Sequence, residues 1–111
     1  MNVYAIWCNL KNSAHDVEFC RAVDQYLGHL RDEGVIEGFR VLRRKLGFGP
    51  PGLGEFHILI ETRDLAQLDA AFNTAATRTP PVETLHAAVF NAVKDTTFAL
   101  YRDFPDPVRG E

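Results

Sequence analysis

Cysteine is scarce in this chain of 111 residues: only Cys8 and Cys20 occur, and neither lies in a CxxC or CxxCH pattern. That excludes a disulfide framework, a dithiol redox motif and c-type haem attachment, and both are expected as free, buried thiols. Positive charge is short as well. Lys and Arg total 12 against 15 Asp and Glu, giving a net charge of −3 and a pI near 5.8. There is no general attraction to phosphate backbones or anionic membranes, so neither nucleic acid nor membrane is expected as a partner. No segment approaches the ~20 apolar residues of a membrane span. The opening residues MNVYAIWCNL have no basic leader, no signal-length apolar run and no small-residue cleavage site, so a cytoplasmic location is expected. His15, His29 and His86 have no i,i+4 partner and no His/Cys/carboxylate cluster, and no metal or cofactor is expected. No Ser-His-Asp or Cys-His arrangement can be argued from spacing.

What is present is an ordinary globular composition, 46% hydrophobic and 24% charged, enough for one domain over residues 1–104 with a polar tail over 105–111. A chain of this size hides only roughly 60–70% of the surface its unfolded form exposes, so self-association is a natural source of stability.

Asn2–Leu10 is rich in β-branched and aromatic residues, and both of its alternating sets are apolar, which predicts a strand buried on both faces. Ser13 and Asp16 predict a capped start to a helix running from Ala14 to Asp32. Its stripe is Val17, Cys20, Val23, Leu27 and Leu30, widened by Phe19 and Tyr26, and Gly34 is its left-handed stop. Ile36–Leu46 and Glu55–Thr62 follow as strands joined by the tip GFGPPGLG. Asp64 and Gln67 predict a second helix start, Thr79-Pro80-Pro81 an interruption and the opening of a third helix, and Thr96–Phe104 a last strand.

The order β-α-β-β-α-α-β is an α+β, ferredoxin-like split βαβ plan: a four-stranded antiparallel sheet with helices on one face. Three of its strands are nevertheless apolar on both faces. The same sheet of a second copy would cover the other face, giving a two-fold homodimer.

This plan with a doubly apolar sheet resembles the dimeric α/β-barrel superfamily. The phrases IEGFRVLRRKLGFGPPGLGEFHILIETRDLAQLDAAF, TPPVETLHAAVF and VKDTTFALYRDFPDP resemble those of a bacterial family of unknown function within it. The resemblance implies a dimer with a central barrel cavity but supplies no reaction and no catalytic residue.

Candidate residues collect on the hairpin. Arg40, Arg43 and Arg44, with Lys45, could hold an anionic ligand at the barrel mouth; against this, they could be solvated and paired with Glu37, Glu55 or Glu61. Two registers are open: one sets Leu42 opposite Ile60 and turns Arg43 and Lys45 toward His57, Leu59 and Glu61, the other sets Arg40 opposite Glu61 and Arg44 opposite His57. The Gly47–Gly54 tip has glycines suited to a phosphate, but Pro50 and Pro51 remove donors and a strand follows instead of a helix, so a stiff structural tip is favoured. His57 is the candidate general base if it points into a cavity beside Glu61, and a hydrogen-bonded lining residue otherwise. Trp7, Asn9 and Tyr101 complete the candidate wall. Three functions fit: a homodimer whose central cavity binds a small, partly apolar and optionally anionic molecule; a cofactor-independent oxygenase- or isomerase-like enzyme, by analogy of fold; and a non-catalytic interaction or scaffold module.

Overall fold

Two of the three helices start beside a short polar side chain that accepts an N–H of the first turn, and the third opens behind a proline. The computed structural model describes residues 1–77 and 79–105. It contains β1 (Asn2–Leu10), α1 (Asp16–Asp32), β2 (Gly38–Arg43), β3 (Phe56–Thr62), α2 (Leu65–Ala76), α3 (Val82–Phe90) and β4 (Val93–Arg102). The tail expected over 105–111 lies, from residue 106 onward, outside the described residues. The strands form one antiparallel sheet in the order β2-β3-β1-β4, the ferredoxin-like arrangement.

At α1 the expected cap is displaced. A single 3-10 turn, Ser13–His15, precedes the helix, and the Oδ1 of Asn12 accepts the Ala14 N–H at 3.0 Å. An Asx side chain reaching two residues on competes well with a Ser cap. The buried stripe also rotates: Phe19, Val23, Tyr26, Leu27 and Leu30 are buried while Val17 is exposed, so the bulkier aromatics take the centre of the contact. Gly34 ends the helix in the left-handed region at φ 75°, as its position predicts.

At α2 the expected pair operates. The Gln67 N–H donates to Asp64 Oδ1 at 2.8 Å, and Gln67 Oε1 accepts the Arg63 N–H at 2.7 Å. Gln67 Nε2 then donates to the Gly34 carbonyl at 3.2 Å, so one buried side chain ties the α2 start to the α1 exit. Residues 77–81 separate α2 from α3, consistent with prolines that cannot continue a helix.

All three helices pack on one face of the sheet. Cys8, Phe56 and Ile58 meet Phe19, Val23, Leu27 and Leu30 there, with Ala71, Leu85 and Val89 against the same cluster. The other face, which no described helix covers, presents Val3, Ala5 and Trp7 from β1, Arg40 and Leu42 from β2, Leu59 from β3 and Tyr101 from β4.

The hairpin adopts neither expected register. Leu42 pairs with His57, Arg40 with Leu59 and Gly38 with Glu61. This turns Arg40 and Arg44 toward the face of His57, as in the second alternative, but two residues out of step with it. The cause is the length and anchoring of the tip. Arg44 N–H donates to the Glu55 carbonyl at 2.8 Å, closing the ladder, and Leu46 (φ 56°) with Gly47 (φ 71°) turns the chain through the left-handed region. Buried Gly54 lies directly on the Cys8 backbone, where a Cβ would collide, and Glu55 N–H donates to Asn9 Oδ1 at 2.9 Å.

Candidate functional site

On the open face, alternation and register bring some of the expected residues together and part others. Trp7 and His57 are cross-strand partners whose rings stack at 4.2 Å and 11°. The stack shuts His57 Nε2 away from water, and it has no hydrogen-bond partner. Burial holds the imidazole below its ordinary value. Leu42, Arg44 and Lys45 stand beside this pair under the tip, around a hollow of about 300 Å³.

Glu61 and Tyr101 flank Val3 on either side. Val3 and Trp7 are four residue steps apart along the strand, about 13 Å at ~3.3 Å per step, so neither Glu61 nor Tyr101 reaches His57. Glu61 therefore does not orient the imidazole, and Glu55, the carboxylate that shares the hollow with His57, is bonded to Arg43. Arg40 sits between the two ends, opposite Leu59. Asn9 is spent on the fold: it accepts from Glu55 and its Nδ2 donates to Asp95 Oδ2 at 3.3 Å across a β-bulge.

Arg43 lies on the opposite, helix-bearing face. It donates to Asp16 Oδ2 at 3.0 Å and Glu55 Oε2 at 3.1 Å, with its guanidinium 5.2 Å over the Phe56 ring. The Val17 N–H and then Arg43 lower the Asp16 carboxyl below its usual range, and bonding to Asp16 and Glu55 raises Arg43. The pairing joins the α1 start to the hairpin.

The larger concavity is on that helix-bearing face. A cleft of about 440 Å³ runs between the sheet and α2 and α3. Tyr4, Ile6, Ile58 and Ile60 form its sheet wall, and Leu68, Phe72, His86 and Val89 are among those on the helix side. Phe98 and Phe90 of its lining are 59% and 64% exposed, a large apolar area to leave in water.

Aromatic contacts hold these walls. Tyr4 stacks on Phe98 (5.8 Å, 10°) and meets Phe72 edge-on (5.2 Å, 81°), while His86 stacks on Phe90 (5.6 Å, 22°) and meets Tyr26 edge-on (5.4 Å, 65°). Tyr4, Tyr26, His86 and Thr96 supply the polar tips. Burial raises both tyrosines, and it raises the Cys8 thiol in the same wall to about 11, so all three stay protonated near neutrality. Tyr4, Tyr26 and His86 of this wall can hydrogen-bond to a bound molecule. The sequence signal for Tyr26 and His86 was faint: each is an aromatic with a polar tip on or beside a helical stripe, a pattern that core packing produces equally well.

Among the described residues no group of three or more His, Cys, Asp or Glu could hold a metal ion. No described helix is long and apolar enough to cross a membrane.

Several solved structures share this architecture. A dimeric ferredoxin-like protein of unknown function from Jannaschia sp. CCS1 superposes with a TM-score of 0.67 at 12% identity, over 92% of this chain and 98% of that one. A dabb family protein with a ferredoxin-like fold from Mesorhizobium loti gives 0.67 at 16% identity, over 93% and 96%. An antibiotic biosynthesis monooxygenase gives 0.60 at 19%, over 95% and 100%. At such identities the likeness establishes the fold alone. No curated protein sequence matches the chain. The match that extends over the whole sequence, residues 1–111, is to a family of unknown function (DUF6614), and the chain belongs to that family.

Proposed function

We propose that this protein is a small-molecule-binding homodimer, each protomer taking one largely apolar ligand in the cleft between its sheet and α2 and α3. The observation that carries this reading is the cleft of about 440 Å³. Protein interiors pack at crystal-like density, and an engineered apolar void of about 150 Å³ already binds benzene. A larger opening with aromatic walls falls in the range of ordinary ligand pockets. Tyr26 and His86 give a bound molecule a donor and an acceptor, and the apolar walls provide most of the contact. The site thus belongs to each protomer, on the face opposite the central cavity that a face-to-face dimer would enclose.

Self-association is supported by the uncovered sheet face, which carries Val3, Trp7, Leu42 and Leu59, and by the dimeric state of the Jannaschia protein of the same fold. A second copy on that face leaves the cleft mouth, on the other side, free.

The test is titration with N-phenyl-1-naphthylamine, a neutral apolar probe whose emission rises in apolar surroundings. Saturable binding of one probe per chain is expected, weakened at least tenfold by Ala71→Trp and Ala75→Phe, which fill the cleft. A response that does not saturate, or that survives in both folded variants, would overturn the assignment.

A further inference from the structure

The hairpin sorts its cations by face. Arg43, toward the helices, has two carboxylates, whereas Arg40, Arg44 and Lys45 have none within ion-pair distance among the described residues. Arg44 is the unusual one. It is half-buried under the tip, its guanidinium lies against Gly49 where a Cβ would collide, and Nη2 donates to the Leu53 carbonyl at 2.6 Å. One neutral acceptor leaves most of its five N–H groups unused, and a guanidinium held by the loop is pre-organised for a planar, bidentate partner.

The hollow that Arg44 borders is about 300 Å³ and amphipathic: Leu42, Phe48 and Leu53 provide apolar sides and the stacked Trp7–His57 pair a flat aromatic floor. Glu55 and Arg43 also border it, bonded to each other at 3.1 Å, so Glu55 does not compete for the free cations and Arg43 is already neutralised. We propose that this hollow is a second binding site, for a small flat carboxylate whose acid group meets Arg44 and Lys45 and whose ring lies against Trp7. A phosphate cradle is a poorer fit, since Pro50 and Pro51 offer no N–H and no helix N-terminus faces the hollow. The site is on the opposite face of the sheet from the apolar cleft and stands or falls independently of it; it lies at the hairpin end of the face on which a second copy is proposed, so in that dimer it opens toward the space between the two sheets.

Trp7 is the single tryptophan of the chain, so its emission reports directly on this site. Benzoate at constant ionic strength should change that emission saturably, while neutral benzamide should not. Arg44→Lys keeps the charge but loses the fork, and should weaken benzoate at least tenfold. Lys45→Gln, which keeps the backbone bond from the Phe48 N–H and removes only the side-chain charge, should weaken it several-fold and decides the matter if Arg44→Lys loosens the tip. Ala71→Leu in the apolar cleft should leave it unchanged. The proposal is overturned by a linear response, by equal responses to benzoate and benzamide, by unchanged affinity in Lys45→Gln, or by loss of benzoate binding in Ala71→Leu.

Discussion

At the scale of single residues, His57 shows how neighbours decide chemistry. Its position mid-strand was legible from alternation, but its stacking on Trp7 depends on β1 lying beside β3, which no local pattern states. Burial lowers its pKa from 6.5. The unfolded chain therefore takes up the proton first as pH falls, so the stability that neutral His57 contributes is whole above pH 6.5 and declines as pH drops from there toward the lower folded value. Trp7 emission should show a quenching step centred below pH 6.5, and the melting temperature should fall over the same window; both should be absent in His57→Leu. A step centred at or above 6.5 would contradict the burial argument. Gly54 is a second case. Its lack of a side chain lets the hairpin lie on the Cys8 backbone, and rigid backbone cannot yield as a flexible side chain can. Gly54→Ala should cost about 3 kcal/mol in urea unfolding, the upper end of overpacking penalties.

At the scale of elements, capping chemistry was readable in part. Asp64 and Gln67 serve α2 as their spacing implies, whereas Ser13 and Asp16 yield to Asn12 because a preceding 3-10 turn moves the helix start. What spacing could not reveal is the third bond of Gln67, to the Gly34 carbonyl, since the partner is 33 residues away. Gln67→Ala removes bonds to two backbone groups at a buried position and should destabilise by about 1–3 kcal/mol, against about 1 kcal/mol for the cap variant Asp64→Ala. Equal losses in chemical denaturation would show that the tie to α1 contributes nothing. The hairpin was less legible still. Alternation left two registers open and the pairing follows neither, because the left-handed turn at Leu46 and Gly47 and the anchoring of Gly54 and Glu55 on β1 set it.

At the scale of the whole molecule, one face of the sheet is packed and the other is bare. The bare face carries apolar side chains together with Arg40 and Glu61, opposite charges that an isologous contact could pair between copies. The wild-type chain should therefore run as a dimer at micromolar concentration by native mass spectrometry. Leu59→Arg, placing like charges at the centre of that face, should give monomers, and Val17→Arg, on the exposed side of α1, should not. A wild-type monomer would remove the self-association reading while leaving the cleft, which lies within one protomer.

The sequence by itself determined the kinds and order of elements, the doubly apolar sheet and hence the ferredoxin-like plan, because hydrophobic period, caps and prolines act over a few residues. It also marked the hairpin and His57 as places to look. Only the tertiary structure decided which charges share a face, that Glu61 and Tyr101 stand about 13 Å from His57 along the strands, that Arg43 reaches Asp16 on the helix-bearing side, and that an apolar cleft lies among Tyr4, Tyr26, His86 and Phe98. Register follows from how a turn is anchored on a distant strand, and a cleft from how imperfectly remote elements fill the space between them. Neither quantity exists along the chain until it has folded.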